Sequence, residues 1–318
     1  MKWDPIIPFE PVMSDEIPDG KEWIHQVKWD GVRVLAYFWG TETRLFNRHG
    51  NERTAVFPEI ARAQDYLSAS SAIVDGEVIA LDTSGKPSFH EVMRRDGISR
   101  MEKIPVLRQK VPITYMIFDL IYRDGEWIDQ VPLERRCDML SDVLIETGQV
   151  RRVTSEEDGF ALYQAVKQQG MEGIVSKNLN SKYLIKGKNG SWKKIKTERD
   201  LIAVIGGVTR RSSRFNALML GLYNRQGQLV YIGRAGPGRL SEQQWQIFTN
   251  HVGLIKTSVC PFSNPPEAIK DVQWLKPDLT VKVVYREWTR GGNLRQPVIQ
   301  AITGHQAAAG LFEDESHE

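Results

Sequence analysis

Cysteine is scarce in this chain: 318 residues hold two, Cys137 and Cys260. Neither has a partner at C-x-x-C spacing, which excludes a zinc ribbon and a disulfide framework as the basis of the fold. Long apolar runs are missing as well. No stretch approaches the ~20 residues needed to cross a bilayer, and the N-terminal "MKWDPIIPFEPVM" lacks the continuous apolar segment of a secretory signal. A cytoplasmic, nucleoid-associated protein is expected. Repeats and low-complexity tracts are absent, so a solenoid or a disordered linker protein is not indicated.

What is present is ordinary globular composition, 41% hydrophobic and 26% charged, with length enough for one large core or two moderate ones. The net charge of +2 hides an asymmetry. Residues 198–310 carry 14 Lys/Arg against 7 Asp/Glu, while residues 1–197 carry 28 against 29. A basic excess in the C-terminal third suits a polyanionic partner or a solvated basic face.

Short segments rich in β-branched and aromatic residues read as strands: "WIHQVK", "VRVLAYFW", "SAIVDGEVIAL", "ITYMIFDLIY", "EGIVSK" and "SWKKIK". Helices are expected from Pro58 in "PEIARAQDYL", near Ser88, at Pro132 in "PLERRCDMLSDVL" and near Ser155, where proline or a small polar residue can open a helix. In the third of these, Cys137 shares a helical face with Leu133, Leu140 and Leu144, the setting of a structural thiol. After "TERD" at 197–200 the texture changes to "LIAVIGGV", "ALMLGLYN", "QLVYIGRAG" and "LTVKVVYREW", with a helix near "SEQQWQIF". A five-stranded barrel with one helix fits that order, and "EDESHE" reads as a frayed acidic tail.

Within this frame "KWDGVR", residues 28–33, sets Lys28 two residues before Asp30 and five before Arg33. Alone it fits a charged strand end. It is followed in order by "NRHG" at 47–50, "DGE" at 75–77, "IFDL" at 117–120, "EGIVSK" at 172–177 and "WKKIK" at 192–196. This series resembles the motifs of the covalent nucleotidyltransferase superfamily, the ATP-dependent DNA ligases in particular, over nearly the whole chain. "GRAGPG" and "REWTRGGNLRQPV" resemble the C-terminal domain of the ligases of bacterial end-joining repair.

The resemblance implies an α+β protein: a nucleotidyltransferase (adenylation) domain over residues 1–197, built of ATP-grasp-like antiparallel sheets with helices, then an all-β OB-fold DNA-binding domain over 198–318. It implies that Lys28 attacks the α-phosphorus of ATP, releases pyrophosphate and holds AMP through a phosphoramidate. A free lysine is protonated at neutral pH, so such an amine requires burial and neighbouring cations that lower its pKa. Lys194 and Lys196, alternating on one strand face, would supply that field and neutralise charge on the α-phosphate. Lys193 points to the opposite face.

By the same resemblance Glu172 binds a divalent metal, Mg²⁺ or Mn²⁺, and Glu77 binds ribose or that metal through the hard oxygens such ions favour. Each could instead pair with a nearby lysine. Asp30 supports the metal or the 3′-hydroxyl, and Arg33 grips sugar or phosphate oxygens through its planar fork. Arg48 resembles the arginine that receives the 5′-phosphate of a nick, and Phe118 the aromatic that stacks on adenine. Val175 and Trp192 line the pocket or pack in the core. Gln26 stands where the family commonly has a glutamate that reads the adenine amino group, and it keeps an acceptor oxygen.

The R-x-D-K signature common near the end of DNA ligases is absent, which leaves Arg286, Arg290 and Arg295 as candidates to orient pyrophosphate. In the basic barrel Arg210, Arg211 and Arg214 are candidate DNA-phosphate contacts. The expected activity is ATP-dependent sealing of 5′-phosphate/3′-hydroxyl breaks in duplex DNA, by a monomer, with a Ku-type end-binding protein as partner and a hinge near 197–200 that lets the second domain swing. An RNA ligase, an mRNA-capping guanylyltransferase and a non-catalytic OB-fold nucleic-acid-binding protein are the alternatives.

Overall fold

The computed structural model describes residues 4–83, 85–98, 100–211, 214–266, 271–289 and 291–304. The chain divides into two compact units, Met1–Thr197 and Glu198–Glu318.

The first unit is built on two sheets. Alternation of apolar residues with a period of two, read above as strands, places Val34, Ala36 and Phe38 on one side of the strand Val32–Trp39 and Leu35 and Tyr37 on the other. That strand lies between Glu42–Asn47 and Ser71–Ala80 in a six-stranded sheet that continues through Ile113–Arg123 to Glu126–Trp127, all antiparallel, with Val150–Arg152 added in parallel. Its outer face is covered by Val92 of the helix Phe89–Asp96, Ile104 of the helix Ile104–Lys110, and Leu140 and Val143 of the helix Leu133–Val143. Each such side chain contributes roughly 1.5–3 kcal/mol by leaving water.

The second sheet has four strands in the order Glu10–Met13, Lys188–Lys196, Gly173–Asn178, Trp23–Lys28, the first pair parallel and the others antiparallel. Its outer face packs Ile174 and Ile195 against Val166 of the helix Gly159–Gln168. Its inner face meets the six-stranded sheet, with Phe9, Tyr183 and Trp192 packed on Leu35, Tyr37, Ile73 and Ile121. Toward the other end of this interface the apolar contacts give way to half-buried charged residues: Lys28, Arg33, Glu77, Glu172 and Lys196.

Two of the expected helices differ. No α-helix starts at Pro58. Ala61 and Tyr66 close i→i−3 turns, the Ala63 amide donates to Thr43 Oγ1 at 3.0 Å instead of to a helical carbonyl, and only the 3-10 turn Ala63–Asp65 forms. The helix expected near Ser155 begins at Gly159, because Glu156 exchanges both backbone hydrogen bonds with His25 and is held extended. Asp158 then caps it by accepting from the Ala161 amide at 2.9 Å. The helix Ile104–Lys110 adds to the elements read from sequence, with Pro105 in the tolerated first turn. Cys137 is a half-buried free thiol, with its pKa raised by burial.

In the second unit the 13-residue strand Arg199–Arg211 is shared: Arg199–Val204 pair with Thr280–Tyr285, and Val204–Arg211 pair with Arg214–Tyr223. Leu229–Ala235 and Val298–Gly304 extend the two ends. The strand Val298–Gly304, and the short strands Lys256–Thr257 and Val272–Leu275 beside the long one, add to the elements read from sequence. Ser241 and Gln244 form a capping box at the start of the helix Glu242–Ile255, whose Phe248, Val252 and Ile255 fill the core beside Ala203, Leu218 and Val281. The architecture is the expected α+β unit followed by a mostly β unit. Among the described residues no helix is long and apolar enough to cross a membrane.

Candidate active site

The inner face of the four-stranded sheet is ordered in three cross-strand rungs. Lys28 stands opposite Gly173, which stands opposite Lys196; Gln26 opposite Val175 and then Lys194; Ile24 opposite Lys177 and then Trp192. Period-two alternation on each strand makes this one surface, so Lys28, Lys194 and Lys196, remote in sequence, share it. Lys193 faces the other way, its ammonium 5.5 Å from the centre of the Trp23 ring.

The first rung is compact because its middle residue has no side chain. Gly173 has φ +151, and a Cβ there would run into the carbonyl oxygen of Ile195. Over this bare position Glu172 Oε1 lies 2.8 Å from Lys28 Nζ and 3.7 Å from Lys196 Nζ. The pairing of Glu172 with a nearby lysine, left open in the sequence, is present: its carboxylate bridges the two lysines and holds Lys28 in an ion pair. Gly31 plays a similar steric part on the facing sheet, since a Cβ there would meet the Val78 carbonyl.

The six-stranded sheet contributes Arg33, Glu77 and Phe118. Arg33 and Glu77 are register partners on adjacent strands. Burial pushes the Glu77 carboxyl up to about 8, against the pull of Lys28 and Arg33 and with the push of Glu172 and Asp75. Arg33 is held by a group the sequence reading quoted but gave no role: Nε and Nη2 donate to Asp75 at 2.9 and 2.5 Å, and the Tyr183 hydroxyl donates to Asp75 Oδ2 at 2.6 Å. Asp75 and Tyr183 are fully buried. A second buried pair lies beside it. Arg136 donates twice to Asp119, at 2.8 and 2.9 Å, and also to the Ser181 carbonyl at 3.0 Å. Together these bonds fasten the segment from Ser181 to Tyr183 to the six-stranded sheet.

Phe118 is half-buried, with the Arg33 guanidinium 5.4 Å from the ring centre. Trp192 is 1% exposed and packs on Phe9 and Tyr183, so it is a core residue as well as the edge of the site. Val175 is half-buried on the middle rung. Beside it Gln26 Nε2 donates to Ser155 Oγ at 3.0 Å, which commits the amide nitrogen. Asp30 is half-buried in the turn after Lys28.

The remaining candidates stand elsewhere. Arg48 is exposed on the turn that follows Glu42–Asn47, its Nε donating to His49 Nε2 at 3.1 Å. In the second unit Arg210 and Arg211 are exposed, with Arg210 4.8 Å over the Phe215 ring, and the Arg214 backbone lies opposite Arg211. Arg286 and Arg295 are exposed, and the Arg286 amide donates to the Arg295 carbonyl. Arg290 lies outside the described residues.

Comparison with known proteins gives this arrangement its class. Residues 13–196 match the family described as ATP dependent DNA ligase domain, and residues 211–303 match its C-terminal region. This chain belongs to the ATP-dependent DNA ligase family. It is 30% identical over 281 residues to the multifunctional non-homologous end joining DNA repair protein LigD of Mycobacterium tuberculosis, covering 86% of this chain and 35% of that one. It is 31% identical over 196 residues to the prophage-derived DNA ligase-like protein LigB of Bacillus subtilis, covering 61% of this chain and 68% of that one. Among solved structures, mycobacterial DNA ligase D complexed with ATP and MES superposes with a TM-score of 0.68 at 26% identity, covering 95% of this chain and 96% of that one. The chain thus spans about a third of the length of the end-joining proteins it matches.

Proposed function

We propose that this chain is an ATP-dependent DNA ligase, and that the Lys28–Gly173–Lys196 rung is its reactive centre. The deprotonated Lys28 amine attacks the α-phosphorus of ATP; the P–N bond forms, the bond to the bridging oxygen breaks, and pyrophosphate leaves with the electron pair. AMP then passes to the 5′-phosphate of a DNA break, and a 3′-hydroxyl displaces it to seal the strand. Lys196 and Lys194, on the same face, neutralise charge that grows on the α-phosphate oxygens. Phe118 offers a half-open ring for the base, and Gln26 keeps its carbonyl oxygen for the base edge. Arg33, fixed by Asp75, presents to the ribose, and Asp30 lies beside the 3′-hydroxyl.

Glu77 and Glu172 offer hard carboxylate oxygens next to the lysines, a donor pair that suits Mg²⁺ or Mn²⁺ when phosphate oxygens and water complete the shell. Among the described residues no group of three or more His, Cys, Asp or Glu forms a cage of its own, so the substrate would share in holding the ion. Bound there, a divalent ion would offset charge on the phosphates.

Residues 1–197 act in this reading as the adenylation domain and residues 198–318 as the DNA-binding domain, the change near 197–200 serving as the hinge. Arg48 would meet the 5′-phosphate, Arg210, Arg211 and Arg214 the duplex backbone, and one of Arg286, Arg290 and Arg295 the pyrophosphate. The kinship with LigD supports end-joining repair, with a Ku-type partner, as the setting.

One observation carries the reading: Glu172 bridging Lys28 and Lys196 at 2.8 and 3.7 Å. The test is incubation with Mg²⁺ and ATP labelled at the α-phosphate. An acid-labile label on the denatured chain that Lys28→Ala abolishes is expected, followed by sealing of nicked DNA in preference to nicked RNA or diphosphate-ended RNA. Equal labelling of the variant rejects the assignment.

A further inference from the structure

Lys177 has no place in the chemistry above, yet it lies buried on the inner face. It is 2% exposed, and its ammonium, with three donors, finds no hydrogen-bond acceptor. Burial lowers its pKa to about 8 against the opposing pull of Asp119, Cys137 and Asp75. Asp119, paired with Arg136, attracts the ammonium electrostatically but makes no hydrogen bond with it. What the ammonium does meet is two rings, 4.2 Å from the centre of Phe118 and 4.1 Å from the centre of Trp192. A desolvated, unsatisfied cation weakens the fold. A methionine here would fill the same space and contact both rings favourably, so stability does not account for the lysine.

The neighbours indicate its use. Trp192 is locked by Phe9 and Tyr183 and closes the far rung. Phe118 is the one of the two rings that remains half-open. Lys177 Nζ is buried 4.2 Å from the centre of a ring that is itself half-open, so the exposed part of Phe118 is not the part that the ammonium covers. A cation over one face of an aromatic ring draws electron density toward itself and leaves the other face poorer. Such a face stacks best on an electron-rich heterocycle.

We propose that Lys177 is a positioning residue that acts through Phe118: its ammonium holds the ring from behind and makes the open face a selective stacking surface for an electron-rich purine. This deepens the ligase reading and rests on Phe118 being the base-stacking ring. Arg33, 5.4 Å from the same ring, adds to the effect but is fastened to Asp75.

The test compares wild type with Lys177→Met in lysyl-AMP formation, with ATP and with purine riboside 5′-triphosphate, whose base lacks the electron-donating amino group. Expected for the variant are a KM for ATP raised about tenfold, a kcat within about twofold and a melting temperature that does not fall. The ratio of the two nucleotides' KM values should shrink by about threefold in the variant. A merely structural lysine would give a lower melting temperature and a lower kcat with an unchanged KM ratio, and that result overturns the proposal. A wild-type chain that forms no lysyl-AMP defeats the ligase reading and this proposal with it. Normal wild-type labelling with unchanged KM values in the variant defeats the proposal alone.

Discussion

Gly173 stands directly opposite Lys28 in the antiparallel register, and its Cα–H side is pressed against the Ile195 carbonyl of the next strand. The contact explains how two lysines on strands that are not neighbours share one carboxylate: nothing but backbone separates them. Gly173→Ala should lower stability by roughly 2–4 kcal/mol through overpacking and the positive φ. It should also slow lysyl-AMP formation more than the loss of folded protein explains. Denaturant unfolding together with α-phosphate labelling checks both, and a variant of wild-type stability and activity would refute the steric account.

Lys196 shares Glu172 with the nucleophile at 3.7 Å. Lys196→Met should reduce the rate of adenylation by about 100-fold, the scale for loss of one preorganised group that stabilises growing negative charge. Lys193→Met, on the opposite face, should leave the rate within about twofold. Rapid-quench kinetics of label uptake distinguishes them, and equal losses would show that only bulk basicity matters.

Glu77 carries a folded-state pKa raised from 4.5 to about 8, mainly by burial. A raised carboxyl pKa means that its contribution to stability is fully present below about pH 4.5 and is lost as pH rises through about 8. Glu77→Gln keeps the neutral form at every pH. The melting temperature of this variant minus that of wild type, measured without divalent ions, should therefore grow between these limits and level off above them. A difference that falls with rising pH would contradict the assignment.

The buried Asp119–Arg136 pair anchors the Ser181 carbonyl, and both side chains are fully buried. Removing one partner leaves an unpaired charge, so Arg136→Met should destabilise by roughly 3–5 kcal/mol. Asp119→Asn should cost a similar amount, because it leaves the Arg136 guanidinium buried without its counter-charge and turns an amide NH₂ toward one of its donors. The pair of unfolding curves provides the check, and wild-type stability in either variant would refute the reasoning.

Much of the site was legible in the chain because the strands alternate with a strict period of two. Lys194 and Lys196 could be assigned to one face and Lys193 to the other from "WKKIK" alone, and Lys28 ends a strand whose alternation is equally plain. The helix expected at Pro58 was misread for a tertiary reason: the Ala63 amide is taken by Thr43, twenty residues earlier on another strand. The strand Val298–Gly304 was missed although Val298, Ile299, Ile302 and Thr303 give it the β-branched composition of a strand, and it pairs with Thr280–Tyr285. Arg33 was foreseen, but not that Asp75 and Tyr183 fix its orientation, since those contacts span 42 and 108 residues.

By itself the sequence determined which residues carry charge, which face of each strand they occupy and which family they belong to, because side-chain periodicity and motif order are local properties. Only the tertiary structure decided that Glu172 bridges Lys28 and Lys196, and that the Lys177 ammonium is sealed between Phe118 and Trp192. Those relations depend on the register of strands distant in the chain and on the packing of one sheet against another, and pairing distances of a few ångströms are set there.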